Sequence, residues 1–123
     1  MMRIGLILAG GRATRLGGAD KGLVPFQGEP LALRAYRRLS PQVDRILVSA
    51  NRSFDEYRKV LPPDTELIPD RTDSFPGPLA GLEAAIAGLP EKSRNDTWVF
   101  TVPCDCPFFP SDLAEKLISA ADA

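Results

Sequence analysis

The sequence predicts an α/β fold in which a mostly parallel sheet carries helices on both faces. Short apolar segments alternate with segments of helical periodicity along the chain, and this alternation is typical of strands joined by helical crossovers. The first apolar segment, residues 3–9, ends abruptly at a pair of glycines, which indicates a buried strand. Because a helical crossover returns the chain to the end of the sheet where the previous strand began, the strands are expected to run parallel, with right-handed connections.

Length and composition are those of one ordinary globular domain. The chain has 123 residues, of which 44% are hydrophobic and 25% charged, so residues 1–123 are expected to form one domain with a buried core. The net charge of −1 disfavours a protein that coats nucleic acid. The apolar N-terminal segment is too short for a signal peptide, and no segment is long enough to span a membrane, so a cytoplasmic location is expected.

Four strands are predicted, and polar or glycine residues follow their carboxyl ends. The strands comprise residues 3–9, 46–48, 66–68 and 98–102. In open parallel sheets the ligand lies beyond the carboxyl ends of the strands. The candidate binding residues at those ends are therefore Gly10, Gly11, Asn51, Asp70 and Asp105.

Four helices are predicted between and after these strands. The first covers residues 32–39 and carries arginines on the side opposite its apolar positions. The second begins at a capping box formed by Ser53 and Glu56. The third begins at Gly77-Pro78, because proline suits the first helical position, and the fourth begins near Ser111. The apolar stripes of the last two helices are Leu79, Leu82, Ile86 and Leu89, and Leu113, Leu117 and Ile118.

Glycines and cations follow the first strand in a short segment, residues 10–21. Glycines lack a Cβ atom, so backbone N–H groups can approach a bulky anion, and Arg12, Arg15 and Lys21 add positive charge. The segment lacks the Gly-Lys-Ser/Thr of P-loop enzymes and the third glycine of the dinucleotide fingerprint. It indicates a phosphate site of another kind, and an ordinary turn with solvated charges is the alternative.

Lys21 and Arg15 are the cations that we select as candidate catalytic residues. A lysine held by such a turn can neutralise a polyphosphate and the charge that develops as a phosphoryl group transfers. Arg15 is preferred to Arg12 because two glycines follow it closely in the sequence. For each of these side chains, a solvated position without a ligand is the alternative.

Asp105 is the candidate metal ligand, because it directly follows a strand end and lies between Cys104 and Cys106. Mg²⁺ typically takes one or two carboxylates plus phosphate oxygens, although an aspartate can instead accept N–H groups of its own turn. With no His and only two Cys, a zinc site of the usual kind cannot assemble, and a disulfide across one residue would be strained. Asn51 and Asp70 can pair with a base or ribose, or serve as helix caps and turn formers.

Three opening motifs together resemble the signature of the molybdenum cofactor guanylyltransferases, a family of nucleotidyltransferases. The motifs are residues 8–11 (Leu-Ala-Gly-Gly), 15–18 (Arg-Leu-Gly-Gly) and 20–23 (Asp-Lys-Gly-Leu). Three later segments agree with the family in the same order, namely residues 28–31, 75–82 and 102–108. Each motif alone is weak, but the set, which extends from residue 3 to about residue 110, is specific.

This resemblance implies a Rossmann-like nucleotidyltransferase fold and transfer of GMP from GTP to molybdopterin-bound molybdenum, with pyrophosphate as the second product. Mg²⁺ is the implied cofactor, bound by Asp105 together with GTP. Lys21 would contact the phosphates, Asn51 and Asp70 would help to bind the guanosine, and Arg15 would stabilise the reacting charge. The implied nucleotide-binding residues are Leu8, Ala9, Gly10, Gly11, Lys21, Asn51, Asp70 and Asp105.

Family members continue well beyond residue 123, with elements that complete the sheet and the pterin-side pocket. Residues 1–123 are therefore expected to be the N-terminal part of a longer nucleotidyltransferase domain. An exposed sheet edge would follow, and a second copy of the chain could cover it. The expected partners are GTP and molybdopterin-bound molybdenum, with neither nucleic acid nor a membrane. Two alternatives stay open: a nucleotidyltransferase that uses CTP or a sugar phosphate, and a GTP-binding module without catalysis.

Overall fold

The computed structural model describes residues 2–9, 15–16, 19–50, 53–69, 85–88, 96–104, 106 and 108–122 of the protein. Its strands are β1 (Met2–Leu8), β2 (Arg15–Leu16), β3 (Ala19–Asp20), β4 (Pro25–Phe26), β5 (Glu29–Pro30), β6 (Arg45–Ser49), β7 (Glu66–Ile68) and β8 (Thr97–Pro103). Its α-helices are α1 (Leu31–Leu39), α2 (Phe54–Val60) and α3 (Leu113–Asp122), and residues 85–87 are also helical. Short 3-10 helices cover Lys21–Leu23 and Ser40–Gln42.

A four-stranded sheet in the order β7-β6-β1-β8 forms the centre of the protein, and all of its strand pairs are parallel. Leu6 in β1 lies opposite Leu47 in β6 and Thr101 in β8. The predicted strands are thus confirmed, each to within two residues of its bounds. Strand β1 is buried between two neighbours, which explains why its sequence is an almost continuous apolar run.

The first face of the sheet, which we call the helix face, is covered by α1, α2 and α3. Strand residues that point to this face, such as Ile7 and Val48, are fully buried against Ala35 and Leu39 of α1 and Tyr57 of α2. Leu113 of α3 packs on the same cluster. The helical period of the apolar positions in α1 therefore corresponds to a real buried stripe, as the sequence predicts.

The opposite face carries a smaller cluster, in which Ile4, Leu6 and Leu47 pack against Ala85 of the helical residues 85–87. Helices thus lie on both faces of the sheet, as predicted. The predicted stripe of this helix is wrong at Ile86, which is 40% exposed, whereas its neighbour Ala85 is buried. The other members of that stripe, together with Gly77-Pro78, lie outside the described residues.

Two helix predictions differ from the structure in detail. Ser53 precedes α2 in a left-handed conformation (φ 61°, ψ 32°) and makes no side-chain capping hydrogen bond, so the predicted capping box is wrong. A capping serine needs an extended backbone to reach the N–H groups of the first turn. In α3, Leu117 is 45% exposed, and Ala114 takes its expected place in the core.

Two hairpins precede α1, and neither was predicted. Strands β2 and β3 pair antiparallel, and so do β4 and β5. Gln27 and Gly28 form the turn between β4 and β5 with positive φ angles of 52° and 84°, which are the signs needed by the tight turn of a two-residue hairpin. Together with the helix Lys21–Leu23, these hairpins carry the chain from the end of β1 to the start of α1.

Candidate nucleotide site

The carboxyl ends of the four parallel strands meet at one edge of the sheet, which we call the carboxyl edge. Backbone hydrogen bonds continue beyond the strand ends: the N–H of Ala9 donates to Ser49 O (2.9 Å), and that of Ala50 to Ile68 O (3.0 Å). The N–H of Cys104 donates to Leu8 O (3.1 Å). These bonds hold all four chain segments side by side, just beyond the last residues of the four strands.

The candidate polar residues follow these segments directly in the sequence. Gly10 follows Ala9, Asn51 follows Ala50, and Asp105 follows Cys104, while Asp70 comes two residues after Ile68. Gly10, Gly11, Asn51, Asp70 and Asp105 all lie outside the described residues. The structure therefore brings together the segments that lead into these residues, and their own placement stays a prediction.

Leu8 and Ala9 are the predicted nucleotide-binding residues that the structure describes in full. Ala9 is buried, with 3% of its surface exposed. The carbonyl of Leu8 accepts a hydrogen bond from the N–H of Cys104, and the N–H of Ala9 donates one to Ser49 O. The N–H of Ala9 therefore has no further hydrogen to donate to a nucleotide, whereas the carbonyl of Leu8 keeps a second lone pair.

Arg15 and Lys21 are placed by the first hairpin. Arg15 in β2 lies opposite Asp20 in β3, and Lys21 comes next as the first residue of the short helix Lys21–Leu23. The backbones of these two candidate cations are thus brought to the same end of the hairpin. The sequence could not show this pairing, because a two-residue strand has no periodicity to detect.

Gly22 packs next to the candidate site, and no motif in the sequence points to this contact. It is buried against α2, and a Cβ atom at this position would lie 2.6 Å from the hydroxyl oxygen and 2.9 Å from Cε1 of Tyr57. Tyr57 is fully buried, so its ring has little freedom to move away. Gly22 therefore allows the turn that contains Lys21 to pack directly on α2.

The arginines of α1 were assigned to its outer side, yet two of them contact aromatic rings. The guanidinium of Arg34 lies 5.0 Å from the centre of the Phe26 ring, and Phe26 meets Phe108 edge-to-face at 5.4 Å. Arg38 lies 5.8 Å from the centre of the Phe109 ring and donates a hydrogen bond to Phe109 O. Cations at such distances from aromatic faces are attracted by the ring electrons. These contacts join α1 to the segment that follows Asp105.

The opposite edge of the sheet holds a different feature, a cavity of about 230 Å³ at the start of β6 and β7. Three carboxylates are among its lining residues, those of Asp44, Asp64 and Glu66. Arg45 donates to both carboxylate oxygens of Glu66 at 2.7 and 2.5 Å, and this contact lowers the pKa of Glu66 and raises that of Arg45. Such a cavity repels a polyphosphate rather than attracting it.

Three further observations on the described residues concern metal clusters, membrane-spanning helices and the cysteines. Among the residues that the structure describes, no group of three or more Cys, Asp or Glu side chains could hold a metal ion. Within the same residues, no helix is both long and apolar enough to cross a membrane. Cys104 and Cys106 form no disulfide, as expected from their spacing, and Cys104 is buried whereas Cys106 is exposed.

Residues 5–123, which include the whole parallel sheet beyond the first residues of β1, match the MobA-like NTP transferase domain. The chain belongs to this family. The molybdenum cofactor guanylyltransferase of Burkholderia ambifaria (strain MC40-6) is 52% identical to this MobA-like domain over 120 residues, which are 97% of the chain and 56% of the relative. The enzyme of the same name from Cupriavidus necator is 45% identical, with the same coverage of both chains.

Solved structures agree on the fold of this MobA-like domain. Rv0371c from Mycobacterium tuberculosis H37Rv is similar with a TM-score of 0.70 at 20% identity, over 98% of this chain and 60% of that one. A CMP:2-keto-3-deoxy-manno-octonic acid synthetase complexed with CTP is similar with a TM-score of 0.63 at 18% identity, over 99% of this chain and 48% of that one. The predicted Rossmann-like nucleotidyltransferase fold is thereby confirmed.

The chain spans only 56% of the length of the curated relatives that it matches. The match includes the candidate nucleotide site and all four strands that lead into it. The activity, substrates and partners of the whole enzyme are therefore treated as proposals for this chain.

Proposed function

We propose that this domain binds GTP at the carboxyl edge and takes part in transfer of its GMP group to molybdopterin-bound molybdenum. The observation that carries the proposal is the set of backbone hydrogen bonds that brings Ala9, Ala50 and Cys104 to one edge. The glycine segment follows Ala9 directly in the sequence. Ligand sites of open parallel sheets lie at this edge. The relatives' name, molybdenum cofactor guanylyltransferase, supports guanine as the base.

In the proposed reaction, an oxygen of the pterin's phosphate attacks the α-phosphorus of GTP. A new P–O bond forms to the acceptor, the bond to the β-phosphate bridge breaks, and pyrophosphate leaves. Lys21 and Arg15 stabilise the charge on the transferring group, and the backbone around Gly10 and Gly11 holds the nucleotide. Asn51 and Asp70 orient the guanosine. Catalysis of this kind depends on positioning and charge stabilisation and needs no side-chain nucleophile.

Mg²⁺ is the proposed cofactor, and Asp105 is its proposed ligand. The donor set fits a hard cation, because Asp105 follows Cys104 at the carboxyl edge and supplies carboxylate oxygen, while the nucleotide supplies phosphate oxygens. Bound there, the ion neutralises developing negative charge on the phosphates. Asp70 is the other carboxylate whose preceding strand ends at this edge.

We further propose that the protein is located in the cytoplasm. We also propose that two copies associate through β8, so that each covers the open edge of the other. Among the described strands, β8 pairs only with β1 and leaves its other edge open. An open edge of seven residues is a template for pairing with another strand. Sedimentation analysis is expected to detect a dimer, and a monomer at all concentrations would contradict this extension.

The experiments below distinguish the proposed GMP transfer from two alternative functions. The first is a GTP-binding module without catalysis, which would bind the nucleotide at the same edge of the sheet but release no pyrophosphate. A CTP-dependent nucleotidyltransferase is consistent with the fold alone, because the CTP-bound synthetase that resembles this chain is only 18% identical to it.

Calorimetric titration with GTP, CTP and ATP in the presence of Mg²⁺ tests the base and the metal together. We expect the tightest binding with GTP and a loss of Mg²⁺-dependent binding in Asp105→Ala. Asp112→Ala is the matched control, since Asp112 lies on the surface before α3 and pairs with Lys116 at 3.6 Å. Equal affinity for the three nucleotides, or an unchanged Asp105→Ala, would contradict the proposal.

Turnover separates the enzyme from the binding module. Pyrophosphate release is measured with GTP, Mg²⁺ and molybdopterin-bound molybdenum, and the Burkholderia ambifaria relative serves as positive control. Release that requires both GTP and the acceptor identifies a guanylyltransferase. Binding without release identifies the module.

A further inference from the structure

The contacts between α1 and the segment that follows Asp105 form a clamp. We define the clamp as the side chains of Arg38, at the end of α1, and Gln42, in the helix Ser40–Gln42. Gln42 donates to Pro110 O (3.2 Å) and accepts from the N–H of Ala114 (2.9 Å), which belongs to the first turn of α3. One glutamine thus binds both the carbonyl before α3 and a free N–H group of its first turn.

The two halves of the clamp support each other. Gln42 also donates to Arg38 O at 3.0 Å, which ties its amide to the end of α1. Arg38 donates from Nε to Phe109 O and lies 5.8 Å from the centre of the same residue's ring. Two consecutive residues of the segment, Phe109 and Pro110, are therefore held through their carbonyl groups by side chains of α1 and of the short helix that follows it.

The N-terminal end of the segment, residues 104–110, is held by the sheet. Cys104 donates to Leu8 O at 3.1 Å and is buried, and the N–H of Cys106 donates back to Pro103 O at 3.3 Å. Asp105 lies between this anchor and the clamp, one residue after Cys104 and four residues before Phe109. The described residues on both sides of Asp105 are therefore held by contacts with other elements of the fold.

A second contact joins the segment to the turn that contains Lys21. Phe108 meets Phe26 edge-to-face at 5.4 Å, and Phe26 in β4 lies shortly after the helix Lys21–Leu23. The N–H of Leu31, the first residue of α1, donates to Val24 O at 3.0 Å. Helix α1 therefore contacts both the segment of the candidate lysine and the segment of the candidate metal ligand.

We propose that Arg38 and Gln42 are positioning residues, which hold the segment 104–110 so that Asp105 can bind Mg²⁺ together with the nucleotide. The inference rests on the proposed function of Asp105. Groups that orient a metal ligand without touching the metal commonly change its affinity when removed. Neither Arg38 nor Gln42 contacts substrate in this proposal, and both act through the backbone of the segment.

The test measures the affinity for Mg²⁺ at a fixed GTP concentration in Gln42→Leu and Arg38→Leu. We expect the apparent Mg²⁺ affinity to fall about tenfold. This is the lower end of the range of losses seen when groups that orient metal ligands are removed, and we choose it because Arg38 and Gln42 act only through the backbone. The affinity for GTP without metal is expected to be unchanged. Arg37→Leu is the matched control, since Arg37 is exposed and pairs only across the surface with Glu29 at 2.9 Å, as far as the described residues show.

Several outcomes would overturn the inference. An unchanged Mg²⁺ affinity in both variants would show that Arg38 and Gln42 do not position the metal ligand. Equal losses of GTP affinity with and without Mg²⁺ would show that their function is only structural. Gln42→Glu is the milder second variant, because it keeps the oxygen that accepts from Ala114 and loses the donor to Pro110. If Gln42→Leu does not fold, an unchanged Mg²⁺ affinity in Gln42→Glu overturns the inference.

Amide exchange separates this inference from the proposed function. In the ligand-free protein we expect faster exchange at Cys104, Cys106 and Phe109 in the clamp variants than in Arg37→Leu. If the unaltered chain shows no Mg²⁺-dependent GTP binding, the proposed function is wrong. If the clamp variants also exchange at the same rates as Arg37→Leu, the clamp does not hold the segment either. If the chain binds and the clamp variants match the control, only the positioning inference fails.

Discussion

At the residue scale, the position of Lys21 depends on a neighbour that has no side chain. Gly22 packs on the ring of Tyr57 so closely that a methyl group would overlap the ring atoms, with 2.6 Å to the hydroxyl oxygen. Tyr57 is fully buried in the cluster on the helix face. Because the ring cannot move without disturbing that core, a larger residue at position 22 must displace the turn instead.

We therefore predict that Gly22→Ala lowers both stability and nucleotide affinity. Overpacking of this kind costs about 1–3 kcal/mol, and the displaced turn moves the backbone of Lys21. Chemical denaturation measures the first effect and calorimetric titration with GTP and Mg²⁺ the second.

Gly28→Ala is the matched control for this prediction. Gly28 has a positive φ of 84°, but a Cβ atom there would meet nothing within 4 Å. This variant is expected to lose about 1–2 kcal/mol from backbone strain alone and to keep its affinity for GTP. Loss of GTP affinity in Gly28→Ala, or full affinity in Gly22→Ala, would contradict the importance of the contact with Tyr57.

At the scale of elements, the short outer strand β7 is joined to β6 by the ion pair of Arg45 and Glu66. Their side chains are 38% and 45% exposed, so water screens the pair and its contribution to stability is small. The hydrogen bonds from Arg45 hold the pKa of Glu66 below its ordinary value of 4.5. The stabilisation is thus present above about that pH and is lost as the pH falls through the lower pKa of the folded state.

Glu66→Gln is predicted to reduce the free energy of unfolding at neutral pH by about 0.2–1 kcal/mol, as is usual for exposed pairs. The difference from the unaltered protein should vanish as the pH falls through the lowered pKa of Glu66, because protonated Glu66 no longer attracts Arg45. Urea denaturation at a series of pH values measures this. A deficit that stays constant into the acid range would show that Glu66 acts through packing rather than through its charge.

The elements differ in how well the sequence predicts them, and the reason is the length of their patterns. The four parallel strands and α1 are long enough to show an apolar run or a helical period, and the prediction of each is confirmed. The hairpins β2–β3 and β4–β5 have two residues per strand and were missed. Ser53 has the right residue type for a cap, but its left-handed backbone prevents the capping contact.

The candidate site is predictable from sequence only in part. The rule that ligands bind at the carboxyl ends of parallel strands correctly selects the segments that the structure brings together at Ala9, Ala50 and Cys104. Arg38 and Gln42 could not be selected, because their partners lie about 70 positions away in the sequence, at separations of 71 and 68 residues. Contacts at such separations leave no local pattern in the residues that make them.

At the scale of the whole molecule, the sheet separates two edges of opposite character. The segments that precede the predicted glycine and carboxylate residues meet at the carboxyl edge, whereas the cavity at the other edge is lined by Asp44, Asp64 and Glu66. The acidic cavity repels a nucleotide with several negative charges. We therefore propose that GTP binds where the parallel strands end and not in the acidic cavity where they begin.

Backbone amide chemical shifts during titration with GTP and Mg²⁺ test this claim most directly, because a chain of 123 residues suits such measurements. The predicted result is that the largest shift changes cluster at Ala9, Gly22, Ala50 and Cys104. Amides of Asp44 and Asp64, at the opposite edge, are expected to stay unchanged. Changes centred on Asp44 and Asp64, or no changes at saturating GTP, would contradict the assignment of the carboxyl edge as the nucleotide site.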